Sequence, residues 1–125
     1  MYEVFSIEFR GDHVHVQIGK DVTVDKEWQD EYWKRLRAAC KEYDTSRVLV
    51  EGFSPPGERT TTEVVEAGQR TATVPNLWMA FCLKDFEPTE KSELYETVAA
   101  SKGVRVKFFS DSAHALSWLR ANAPR

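Results

Sequence analysis

Two periods alternate along this chain. Phe5, Ile7 and Phe9 alternate with Ser6, Glu8 and Arg10, and Val14, Val16 and Ile18 alternate with His13, His15 and Gln17, which is the period of strands with one covered face. Gly11-Asp12 lies between them with glycine first, as a two-residue type II′ turn requires, so the chain is predicted to open with an antiparallel hairpin over residues 3 to 9 and 14 to 18. The period then lengthens. Trp28, Tyr32, Trp33, Leu36, Ala39, Cys40 and Tyr43 recur at three-to-four spacing after Asp25, a capping residue, while Asp30 with Lys34 and Glu31 with Arg35 stand four apart on the wet face of that helix.

Val48-Leu49-Val50 is a short apolar, β-branched run closed by Gly52 and Pro55-Pro56-Gly57, the pattern of a central strand covered on both faces. Thr60-x-x-Glu63 is a capping box, and Val64, Ala67, Gly68, Thr71 and Ala72 form a narrow stripe of small residues on the helix it starts. Leu77 to Leu83 is uninterrupted and apolar, which predicts a second fully buried strand. Pro88 opens a third helix that Gly103 stops, with Leu94, Tyr95, Val98 and Ala99 inward. Val104, Val106 and Phe108 alternate with Arg105 and Lys107 as an edge strand does, and Ser110 caps a last helix with Ala115, Leu116, Trp118 and Leu119 on its buried side.

The order is therefore β-β-α-β-α-β-α-β-α without repeat or linker, a single domain over residues 1 to 125. Strands alternating with helices require parallel pairing through right-handed crossovers, so the fold class is α/β: a mixed five-stranded sheet with four helices. A chain of 125 residues buries about two-thirds of its unfolded surface without staples. The 42% hydrophobic and 12% aromatic content supplies the material for that core.

Charge narrows the partners. A net charge of -3, with Lys and Arg interspersed among acids, offers no basic field for nucleic acid or anionic lipid. No apolar run has the length of a signal core or a membrane span, so a cytoplasmic protein without an integral membrane segment is expected. Cys40 and Cys82 sit far apart inside apolar patterns, build neither a CxxC motif nor a zinc knuckle, and are expected to be reduced and buried. Arg10-Gly11-Asp12 spells an integrin-binding tripeptide, but the turn accounts for it.

In α/β folds, function gathers where the central strand ends, which here is the loop from Phe53 to Thr61. Ser54 and Gly57 stiffen and shape it together with the two prolines, and Arg59, Thr60, Thr61 and the free N–H groups of the helix start are suited to an anion or a phosphoryl group. A capped helix after a stiff loop explains the same residues. Phe53, Trp78 and Phe86 are a second candidate, an apolar pocket for a small or lipid-like ligand, with the rim of the core as the plain alternative.

The close of the chain, Gly103 to Asp111 followed by Ala115-Leu116-Ser117-Trp118-Leu119, resembles that of STAS-like domains, the sulphate-transporter and anti-sigma-factor-antagonist group with its divergent relatives. Length and element order match as well. The resemblance implies a single β/α superhelix with strands in sequential order. It also implies a regulatory, mostly non-catalytic role, with a phosphorylated Ser or Thr after the central strand in the antagonist branch. In this chain Ser-Pro-Pro-Gly-Glu-Arg-Thr-Thr-Thr, residues 54 to 62, stands where that branch carries Asp-Ser-Ser-Gly.

Catalytic chemistry finds no such foothold. Gly52-x-Ser54 approaches a nucleophile elbow, yet Pro55 has no N–H to give an oxyanion hole and no second glycine stands at the required place, which leaves a small hydrolase using Ser54 as a distant alternative. His13 and His15 point the same way on one strand with His114 remote, and two ligands make no metal site, so they read as solvated strand histidines. Glu58, Glu63, Glu90 and Glu93 are helix-start residues that answer the macrodipole. The expectation is no catalytic residue, no metal and no cofactor, and a non-catalytic regulatory or protein-interaction domain, or else a binder of a small apolar ligand. Its partner is a protein or a small ligand, with homo-oligomers open.

Overall fold

A computed structural model describes residues 5–19, 26–53, 60–84 and 86–124. Strands β1 (Phe5–Phe9), β2 (Val14–Ile18), β3 (Arg47–Phe53), β4 (Trp78–Lys84) and β5 (Arg105–Phe109) form one sheet in the order β1-β2-β3-β4-β5. β1 and β2 are antiparallel, and all other neighbours are parallel. Helices α1 (Lys26–Glu42), α2 (Thr61–Thr71), α3 (Glu90–Ser101) and α4 (Ser112–Asn122) alternate with the strands in the predicted order. The turn is as expected. Arg10 N–H donates to the His13 carbonyl at 2.9 Å, and φ is positive at Gly11 (86°) and not at Asp12, which is where a glycine-first two-residue connection needs it.

Sequential strand order with crossovers of one hand puts α1, α2 and α3 on the same face. There Val14, Val16, Val48, Val50, Met79 and Val106 pack under Trp28, Tyr32, Trp33, Leu36 and Ala99 in one cluster. α4 follows the last strand and crosses back over the other face, where Ala115 and Leu119 cover Leu49 and Ala80. The apolar run Val48-Leu49-Val50 thus serves two cores, one on each side of β3.

Local details depart from the sequence reading where tertiary contacts intervene. β4 is fully buried only at Met79 and Ala80: Trp78 and Cys82 on the α4 face, and Phe81 and Leu83 on the three-helix face, stay half-buried. α3 starts at Glu90 with Thr89 and Ser92 in a reciprocal capping box, two residues past Pro88, and α4 is capped by Asp111 rather than Ser110, its carboxylate accepting from Ala113 N–H at 2.9 Å. Tyr43 lies past α1, 41% exposed, and stacks on Phe9 with ring centroids 4.6 Å apart. Asp25 lies outside the described residues.

Candidate functional site

Parallel register fixes what gathers at each end of the sheet. Phe53, the last residue of β3, pairs with Lys84, the last of β4, and Glu51 pairs with Gln17 on one side and Cys82 on the other. By strand alternation Leu49, Glu51 and Phe53 share the α4 face. Phe53 is 41% exposed there, and the Lys84 ammonium lies 5.8 Å from its ring centroid. Gly52 on the same strand comes so close to β2 that an added Cβ would stand 3.1 Å from the Ile18 carbonyl oxygen.

The helix start beyond the loop is closed by its own side chains. Thr60 Oγ1 accepts from Glu63 N–H at 3.1 Å while Glu63 Oε1 accepts from Thr60 N–H at 2.9 Å, which places a carboxylate where an incoming anion would sit. Thr61 is the exposed first residue of α2. Ser54, Gly57 and Arg59 lie outside the described residues. Of the expected site, the described residues therefore offer exposed Phe53, preceded by half-buried Glu51 and Gly52, and the self-capped helix start at Thr60 and Thr61.

The three aromatic residues expected to line a pocket occupy three different places. Trp78 starts β4 beside Arg47, at the opposite end of the sheet from Phe53, and packs against Trp118 at 5.6 Å. Phe86 stacks on Phe108 at 5.1 Å, within the aromatic group of Phe81 and Tyr95 on the three-helix face. The correction was legible: Trp78 is the first residue of its strand and Phe53 the last of its own, and parallel strands keep first and last residues at opposite ends.

The histidines are not solvated. His13 is 4% and His15 2% exposed, the first beside Asp12 and the second beside Glu51, on the face of the sheet that carries α4. His13 Nδ1 lies 2.6 Å from Asp12 Oδ1, and Asp12 Oδ2 also meets Arg120 Nε at 2.8 Å and Arg47 Nη1 at 3.5 Å. Buried Arg47 reaches on to the Ala123 carbonyl at 2.9 Å, tying β3 to the end of α4. His15 Nε2 lies 2.9 Å from Glu51 Oε2, a carboxylate whose side chain is 30% exposed. Sequence reasoning missed both pairs, although apolar Leu49 between Val48 and Val50 already signalled cover on that face.

His114 stays outside both pairs. It is exposed, with Asp111 at 3.2 Å, and no group of three or more His, Cys, Asp or Glu among the described residues is placed to hold a metal ion. Cys40 and Cys82 are free thiols, the first buried and the second half-buried. Burial pushes the Cys40 thiol up to about 11. The Cys82 thiol is raised first by burial, then by the charges of Glu51 and Asp111. No helix of the described residues is long and apolar enough to cross a membrane. No family model, curated protein or solved structure matches the chain.

Proposed function

We propose that this protein is a non-catalytic recognition domain of the STAS-like kind, whose partner protein is gripped at the carboxyl end of β3 around Phe53. The observation that carries the reading is the exposure of Phe53 at the end of the central strand. A large ring there gains nothing for the core, and it is set in place by pairing with Lys84 and by the close approach of Ile18 to Gly52. Aromatic side chains on a rigid element are the residues that most often anchor interfaces. The sequential strand order agrees with what the STAS-like resemblance implies. A pocket for a small apolar ligand has less support, since Phe53, Trp78 and Phe86 do not converge.

The test is a dissociation constant measured for a partner captured with the wild-type protein and then purified. Phe53→Ala weakens that complex by about tenfold or more, as for an aromatic anchor, with the thermal unfolding midpoint unchanged. Equal affinity of wild type and Phe53→Ala overturns the reading.

A further inference from the structure

Beside Phe53 stands a carboxylate held from beneath. His15 is buried, and its Nε2 lies 2.9 Å from Glu51 Oε2; on the next strand the Gln17 side-chain amide donates to the Glu51 carbonyl at 3.3 Å. Burying an imidazole costs free energy unless it is hydrogen-bonded, and this one is spent on fixing a surface carboxylate rather than on packing. Among the described residues Glu51 Oε1 has no hydrogen-bond partner, and the side chain is 30% exposed, so the carboxylate that His15 holds is open to solvent in part.

Two further observations give the sign of what it accepts. The Lys84 ammonium lies 5.8 Å from the Phe53 centroid, which marks the ring face as one that a cation reaches. Glu51 and Asp111 both act, after burial, on the Cys82 thiol, so the Glu51 charge is felt along this end of the α4 face, which also carries Lys84 and Lys107. An aromatic face that a cation reaches and an oriented carboxylate beside it are the elements of an organic-cation site.

We infer that the carboxyl end of β3 recognises an ammonium or guanidinium group, with Glu51 as its anchor, the Phe53 ring as its face and Lys84 as the internal cation it displaces. The inference rests on the recognition surface proposed above and adds the chemistry of the group recognised. That group is either an Arg or Lys side chain of a partner protein or a free organic amine.

The experiment is a titration of the full chain, followed by backbone amide shifts at about 0.15 M salt, where diffuse attraction between exposed charges is screened. One arm uses a short Gly/Ser peptide with a single arginine, a second its citrulline counterpart, a third methylguanidine and butylamine. Saturable shifts at Glu51, Phe53 and Cys82 are expected with the arginine peptide, and the citrulline peptide binds about tenfold weaker or worse. Glu51→Gln, which keeps the shape and loses the charge, weakens arginine binding by a similar factor, and Lys84→Met strengthens it. Free amines binding as tightly as the peptide identify a small-molecule cation; binding by the peptide alone identifies a protein side chain.

Shifts that never saturate, that fall equally on Glu27, Asp30 and Glu31 of α1, or that survive Glu51→Gln overturn the inference. If Phe53→Ala still breaks the partner complex while Glu51→Gln does not, the cation inference alone fails and the recognition surface stands.

Discussion

Asp12 Oδ2, in the turn between β1 and β2, lies 2.8 Å from Nε of Arg120 near the end of α4, closing the fold between residues 108 positions apart. The same carboxylate receives His13 and Arg47. The Arg120 hydrogen bond first, and that from His13 next, hold its carboxyl well below the usual range against an opposing contribution from burial. A depressed folded value contributes stability that is present above the unfolded value near 3.9 and lost as pH falls through the folded one. Urea midpoints should therefore drop as pH is lowered from about 5 to about 2.5. Asp12→Asn should flatten that limb and cost about 1–2 kcal/mol at neutral pH, because buried Arg47 loses a charged partner. An acid limb of undiminished steepness in Asp12→Asn assigns the acid sensitivity to other carboxylates.

Gly68 of α2 meets Val98 of α3 at a distance that leaves no room for a side chain: an added Cβ would stand 2.5 Å from Val98 Cγ1 and 3.0 Å from its Cβ. Helix propensity favours Gly68→Ala by about 1 kcal/mol, while overpacking against a β-branched side chain that has little rotamer freedom costs about 1–3 kcal/mol. At 2.5 Å the clash should win, with a net loss of up to about 2 kcal/mol in chemical denaturation. Val98→Ala in the same chain should recover most of it. A Gly68→Ala variant more stable than wild type shows that the two helices separate freely.

The strands and helices were legible because each carries one period cleanly, and Thr60-x-x-Glu63 formed the capping box its spacing announces. What sequence periodicity did not carry was the side of the sheet. His13 and His15 alternate with Val14 and Val16 as solvated residues do, but they are buried on the face where α4 packs on β3 and β4, each beside a carboxylate. Trp78 is a different case, since parallel pairing alone sets the start of β4 and the end of β3 at opposite ends of the sheet. Glu51 escaped notice for the opposite reason: its partner His15 is 36 residues away, on a neighbouring strand.

Tyr32 is 3% exposed between Trp28, Trp33 and Phe5, and its hydroxyl has no hydrogen-bond partner among the described residues. Burial raises its ionisation above the normal phenol range. A buried hydroxyl without a partner is a cost that phenylalanine removes at nearly constant shape. Tyr32→Phe should keep or raise stability, by up to about 1 kcal/mol, with the aromatic cluster intact by near-ultraviolet circular dichroism. A loss of more than about 1 kcal/mol would reveal a hydrogen bond to that oxygen.

Gly52 is where the fold and the proposed surface depend on one another. A Cβ there would lie 3.1 Å from Ile18 Cβ and 3.1 Å from the Ile18 carbonyl oxygen. One of those atoms is backbone in a paired strand, so β2 and β3 must part by a few tenths of an ångström to admit it. Alanine recovers about 0.5–1 kcal/mol of glycine's entropy cost in a strand, which offsets part of the strain. Gly52→Ala should therefore lose only about 0.5–1.5 kcal/mol, yet shift the amides of Gln17, Ile18, Glu51 and Phe53 together, because these residues share that end of the two strands. Binding by a partner that grips Phe53 should fall further than stability does, since a small misplacement of an anchor is felt in full at an interface. Unchanged stability with shifts confined to the substituted residue and its neighbours in the chain would mean that the close approach of β2 does not position Phe53.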